Sequence, residues 1–392
     1  MKITENNRCE RIFICFIDAT FLSSKYRGIL FIACAHDPNY QLYPIAYAVA
    51  ESENTDSWNW FLNGLRISFE RFFDAWNTIS FISDKQKGLI NAMRAIFPES
   101  PHFFCIQHFK ANLKLVCRSK HFQRSLDSLA RCYNETDANN CLEMIKAENV
   151  DVYNWLVGVN DENRIFSHWI TAYSPCPRLD INTSNLAESF NNWIKNLRDK
   201  PITTLLDGIR AKIITLQDKN RQLAENLETN FCPKMLKTIA RITKEIHQLE
   251  MLRIVGHLFE ILDRQTNRTY VVRLNKNYCL CLKWYHTFLP CVHACYACNC
   301  CNIRIEHYYP AIFSKEALKS VYEPHLEPIP VPYNIQSALV RGDIGVPDVR
   351  RKAGRPKKNR TMANDQSSRD LRCSNCNGLE HNRRSCTNQP RE

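Results

Sequence analysis

The sequence predicts an α/β chain: a mixed sheet with a large helical insertion, then a small metal-stabilised module and a disordered tail. Three observations carry this. The first hundred residues alternate apolar runs and helix-spaced segments in the order strand, strand, strand, helix, strand, helix, strand, which is the pattern of an α/β layer. Of the 392 residues, 44% are hydrophobic and 11% aromatic, enough to bury cores in two or three domains of ~150 residues. Further on, Cys279, Cys281, Cys291 and His293 form a C-x-C-x9-C-x-H cluster inside YCLCLKWYHTFLPCVHACYAC.

Taken in order, RIFICFID is an apolar run ending at Asp18. GILFIACAHD and LYPIAYAVAES follow with DPNYQ between them, which reads as a hairpin extension. DSWNWFLNGLRISFERFF has helical spacing, with Asp56 or Ser57 as its N-cap and with Trp58 and Trp60 packing it onto the sheet. TISFISD is a buried strand ending at Asp84, GLINAMRAIF is a helix stopped by Pro98, and HFFCIQHF is the next strand candidate. Residues 110–175 read as mainly helical, and a second helical block covers residues 202–263, broken near ETNFCPK. The metal module spans roughly residues 268–301. EHYYPAIFSKEALKSVYEP is a short helical coda, HLEPIPVPY is a Pro-rich linker, and the tail beyond Val346 lacks apolar periodicity.

Composition narrows the setting. No run approaches ~20 apolar residues, so no transmembrane helix is expected. The N-terminal apolar patch is short, contains Asp18 and lacks a small-residue cleavage site, so it is not a signal peptide. The 19 cysteines therefore read as metal ligands or buried thiols before disulfides. Net charge is +12, and the last 47 residues hold 12 Lys and Arg against 5 Asp and Glu, or +7 of it. The tail is thus the expected polyanion contact.

Three thiolates and one imidazole at Cys279, Cys281, Cys291 and His293 match the four positions of a closed zinc site. The alternative is a set of buried free thiols. Trp284, Tyr285, His286 and Phe288 in its loop are expected to form its core rather than to stack on bases. His286 fits the ligand spacing worse than His293, and Cys295, Cys298, Cys300 and Cys301 are surplus to one ion. In the tail, Cys373, Cys376, His381 and Cys386 have the C-x2-C-x4-H-x4-C spacing of a zinc knuckle, with Gly378 allowing the tight wrap. Knuckles bind single-stranded nucleic acid. With no aromatic platform here, Leu379, Arg383 and Arg384 would serve, and binding would be mainly electrostatic. Arg355, Pro356 and Lys357 follow Gly354 as in an AT-hook, which lies in the narrow minor groove. A solvated basic linker or nuclear localisation signal fits the same run.

Asp18 and Asp84 each close an apolar run, so neighbouring parallel strands would bring their carboxylates together, as Mg²⁺ prefers. A two-ion site needs a third acid. Glu188 in NTSNLAESFNNWIKNLR is the candidate, on the first turn of a helix capped by Ser184 or Asn185. Lys85 is a further phosphate contact candidate or a solvated charge. Cys105 and His108 are either a buried thiol and a satisfied histidine or a metal pair, and Cys176 does not clearly complete the pair.

FIDATFL, GILFIACAHDPNYQLYPIAYAVAESENTDSWNWFL, FISDKQKGLINAMRAIFP and HFFCIQHFKANL, followed by NTSNLAESFNNWIKNLRDKPI and LPCVHAC, resemble the Mutator-like (MULE) transposase family over residues 10–330. The resemblance implies a ribonuclease-H-like fold with an Asp-Asp-Glu triad at Asp18, Asp84 and Glu188, using Mg²⁺ or Mn²⁺. It implies that Cys105 and His108 are the C-x-x-H motif and that Cys279 to His293 is a SWIM-type zinc finger. The domains implied are the first part of the core (10–110), a helical insertion (111–180) and the third acid's helix with a following helical region (181–265). The SWIM finger (268–302), coda and linker (303–345), AT-hook-like segment (346–370) and CCHC knuckle (372–387) complete the chain. Only 17 residues precede Asp18, where family members carry a region that recognises element ends, so cutting without target preference is expected. The functions implied are a nuclear DNA transposase binding DNA, with possible self-association, or a catalytically silent nucleic-acid-binding descendant.

Overall fold

The computed structural model describes residues 13–23, 27–70, 78–158 and 165–324, together with Cys373, Asn375, Cys376 and Cys386. Its first layer is a five-stranded sheet in the order β3-β2-β1-β4-β5. The strands are β1 (Phe13–Phe21), β2 (Ile29–His36), β3 (Leu42–Ala50), β4 (Ile79–Ser83) and β5 (His102–Phe104). β1, β2 and β3 are an antiparallel meander, and β4 and β5 run parallel to β1. This is the ribonuclease-H-like sheet that the resemblance implies.

The turn from β1 to β2 needs Gly28, whose φ of +117° only glycine adopts readily. A Cβ there would also lie 3.0 Å from the Ala50 carbonyl oxygen.

Strand alternation decides what covers each face. Cys15, Ile17, Phe31 and Phe81 face α1 (Thr55–Phe69) and α2 (Lys87–Ile96), meeting Trp58, Leu62, Leu89 and Met93. Ile14, Phe16, Ile32, Ile82 and Phe103 face α7 (Asn185–Trp193) and α8 (Ile202–Glu225), meeting Phe190, Leu205 and Ile209. Every residue of β4 is buried, as expected of a parallel strand covered on both faces.

Two sequence expectations fail on α1. Its N-cap is Asn54, whose Oδ1 accepts the Ser57 N–H at 2.8 Å, rather than Asp56 or Ser57. Trp60 is 58% exposed and does not pack on the sheet, because it lies two positions from Trp58 and faces away. Trp58 packs as expected, 1% exposed with its ring 4.2 Å from that of Phe31. Trp58→Ala should cost about 3–5 kcal/mol, seen as a lower urea midpoint at unchanged slope.

Between the second aspartate and α7 comes the helical insertion. It consists of α3 (Ile106–Val116), α4 (Lys120–Ala130), α5 (Glu135–Glu148) and α6 (Val150–Val157). These helices bury a core of their own around Phe109, Leu113, Leu126, Leu142 and Trp169. HFFCIQHF is therefore strand only through Phe104, and helix begins at Ile106 rather than at 111.

After α8 and α9 (Pro233–Thr243), residues 249–263 are strands, not the helix expected there. β6 (Leu249–Val255) and β7 (Leu258–Asp263) meet across a two-residue turn in which Gly256 holds φ +57°. With β8 (Arg268–Arg273) and β9 (Tyr278–Cys279) they form a four-stranded antiparallel sheet in chain order. α10 (Lys283–Thr287) and α11 (Val292–Cys300) follow this sheet, and α12 (Lys315–Tyr322) forms the coda. The Tyr322 hydroxyl donates to Asp37 at 2.9 Å and accepts from Asn220, tying the coda to β2 and α8.

Candidate active site and metal centres

Asp18, expected to end its strand, stands inside it. β1 continues to Phe21 because its pairing with β2 runs on to Phe21 opposite Ile29. Asp84 directly follows β4. Phe16 pairs with Ile82 in the parallel ladder, so two residues later Asp18 and Asp84 stand level. Glu188 lies on the first turn of α7, whose N-cap is Ser184 as expected, although the Ser184 hydroxyl makes no capping bond.

The electrostatics tie these groups together. Burial, and then the charges of Asp84 and Glu188, push the Asp18 carboxyl up to about 6. Burial likewise raises Asp84, with His108 and the Gln86 N–H opposing. His108 is raised to about 9, first by pairing with Cys105 and then by Asp84 and Asp18. Burial alone would raise the Cys105 thiol, but His108 and Ser184 outweigh it and hold it below its ordinary value. Lys85 is half-buried beside Asp84.

Two residues at the site were not read from the sequence. Asn191 donates from Nδ2 to Asp18 Oδ2 at 2.9 Å, and the Ala19 N–H donates to Oδ1 at 2.9 Å. The i, i+3 spacing from Glu188 was the available signal for Asn191. Glu53 follows β3, which runs parallel to β1, so it emerges at the same sheet edge. Burial and the charge of Asp84 raise its carboxyl.

The ligand atoms of Cys105, His108 and Glu188 lie within 4.8 Å of one another. Cys176 is not part of that group, and its sulfur lies 3.3 Å from the Ser80 hydroxyl.

In the C-terminal half of the folded unit, Cys279, Cys281, Cys291 and His293 also converge within 4.8 Å. Cys279 ends β9, Cys291 is the N-cap of α11, and His293 presents Nδ1 to the Cys279 and Cys291 sulfurs at 3.5 and 3.9 Å. The Tyr270 ring stacks on His293 with centroids 4.1 Å apart. Burial works against a Cys291 thiolate, but hydrogen bonds from Cys279, Cys281 and the Ala294 and His293 N–H groups hold it well below the ordinary thiol range. This donor set fits a structural metal ion.

His286 is buried outside the cluster, and burial lowers it to about 4. Trp284 is buried as expected, whereas Tyr285 is 41% exposed. Cys295 and Cys298 are buried thiols, each raised by burial to about 12.

In the tail, Cys373, Cys376 and Cys386 converge within 4.8 Å. His381, Arg355, Pro356, Lys357, Arg383 and Arg384 lie outside the described residues. Among the described residues no helix is long and apolar enough to cross a membrane.

Residues 14–112 match the MULE transposase domain. A Lactobacillus helveticus protein, the transposase for insertion sequence element IS1201, is 23% identical over 197 residues, which cover 47% of this chain and 51% of the relative. The chain thus spans about half the length of that curated relative. The matched stretch is the one that sets Asp18 level with Asp84 and carries Cys105 and His108, and both matches support assigning that stretch to the MULE transposase domain.

Proposed function

We propose that the protein is the catalytic core of a DNA transposase of the Asp-Asp-Glu type, with Asp18, Asp84 and Glu188 as its acids. The observation that carries this reading is the level placement of two half-buried aspartates at adjacent parallel strands, with the helix of Glu188 packed over the same sheet. Hard carboxylate oxygens suit Mg²⁺ or Mn²⁺. Bound there, such ions supply an activated attacking oxygen and stabilise the leaving one. Asn191 fixes the Asp18 carboxylate, and α7 carries Asn191 and Glu188 as one rigid element. The Cys279 to His293 module acts as a SWIM-type zinc finger. The tail adds a CCHC knuckle and an AT-hook-like segment that hold DNA or single strands, and the protein works in the nucleus, self-associated.

The test is nicking of supercoiled plasmid with Mn²⁺ or Mg²⁺, compared with chelator. The parent protein should nick, and Asp84→Asn should not. If Asp18→Asn and Asp84→Asn both cut as well as the parent, the reading is wrong. Salt-sensitive DNA binding by a parent that never cuts would instead identify a silent descendant that keeps the binding modules.

A further inference from the structure

We propose that Cys105, His108 and Glu188 form a third metal site, which takes one zinc-type ion and withdraws Glu188 from the acids when filled. The second half of this statement rests on the proposed function. The first half stands on geometry alone.

The three ligand atoms lie within 4.8 Å of one another. One sulfur, one imidazole nitrogen and one carboxylate oxygen are the donors zinc prefers, whereas Mg²⁺ takes oxygen and keeps its waters. Three protein ligands leave the fourth tetrahedral position to water, the arrangement of an open zinc site.

The scaffold is rigid and joins two helix starts. Cys105 is the N-cap of α3 and His108 lies on that helix's first turn, while Glu188 lies on the first turn of α7. The Ile106 N–H donates to the Asn182 carbonyl at 2.9 Å, pinning the start of α3 to the segment leading into α7. The Ser184 N–H donates to the Cys105 sulfur at 3.2 Å, so the sulfur is already oriented toward α7. The His108 Nδ1 is buried with no hydrogen bond among the described residues.

Glu188 is the residue that both sites need. A zinc-type ion held by Cys105 and His108 competes for it with the hard ions that Asp18 and Asp84 would share.

The experiment uses the full chain and zinc alone as the probe. Zinc bound per chain is counted in the parent, in Cys105→Ser and in His108→Ala, with circular dichroism as the check on folding. Cys105→Ser keeps a small acceptor for the Ser184 N–H while removing the soft ligand. Each folded variant should bind one zinc ion fewer than the parent. An unchanged count in folded Cys105→Ser would overturn the site.

In the second arm, zinc is titrated into Mg²⁺-dependent nicking. The zinc concentration for half-inhibition should rise in Cys105→Ser by more than the roughly 10–100-fold that loss of a supporting contact costs. Equal inhibition of parent and variant would show that zinc held there leaves Glu188 in place. A protein that does not nick at all would defeat the proposed function, and the zinc count would still decide the site.

Discussion

Asp18→Asn should make the protein more stable at pH 7.5 while abolishing the proposed strand cleavage. Burial leads the causes that raise the Asp18 carboxyl from 3.8 to about 6 in the folded state. The folded form therefore holds its proton more tightly than the unfolded chain does. That contribution is fully present below pH 3.8 and is lost as pH rises through about 6. Above pH 6 the fold carries a half-buried carboxylate at a cost of about 3 kcal/mol.

Asparagine is neutral at every pH and can still accept the hydrogen bond from Asn191. It should gain about 2 kcal/mol at pH 7.5 and almost nothing at pH 4. Thermal unfolding at the two values measures this, and an equal gain at both would show that charge burial is not the cause. Nicking should fall on the order of 10³-fold, because the lost charge stabilisation is worth several kcal/mol in the transition state. A residue whose removal strengthens the fold and ends the chemistry is held in place for the chemistry.

Stripping the zinc ion proposed for the Cys279 to His293 cluster, or Cys291→Ser, should unfold the module around it and leave the five-stranded sheet intact. The ligands themselves form much of the module's interior. Cys279 and Cys291 are buried with Val272, Leu274, Trp284 and Ala294 in one small cluster. A site of this kind commonly couples about 10–16 kcal/mol of apparent binding energy to folding at neutral pH. Without the ion, several buried sulfurs and the His293 ring would share a pocket that nothing holds together. Limited proteolysis reads the outcome: new cleavage between residues 274 and 301, with residues 29–69 still protected. A chelator-treated protein with the parent's digestion pattern would show that apolar packing holds the module unaided.

Long apolar runs made the first sheet legible. GILFIACAHD and TISFISD are too apolar, β-branched and aromatic to be anything but covered strands, and their order gives the topology once the connections are short. Asp18 was found by its place beside such a run, although β1 extends beyond it through pairing with β2 that no single strand reveals. Residues 249–263 were misread because LEMLRIVGHLFEILD offers short apolar runs that suit helix and strand alike, and only the Gly256 turn separates them. Glu53 and Asn191 were missed for another reason. Each matters through a neighbour that is distant in sequence, 173 positions away in the case of Asn191 and Asp18. Periodicity carries no information about such partners.

The Ser184 N–H to Cys105 sulfur bond joins positions 79 apart, and the helical insertion leaves and re-enters the core at that one point. The insertion is thus closed at its neck, like a bag drawn shut. Each doubling of the length of a flexible loop between fixed ends costs only about 0.6 kcal/mol in closure entropy. The length of the bag can therefore vary among related chains while the distance from Asp84 to Glu188 stays set by the neck. Evolution could refit what the insertion touches without retuning the acids.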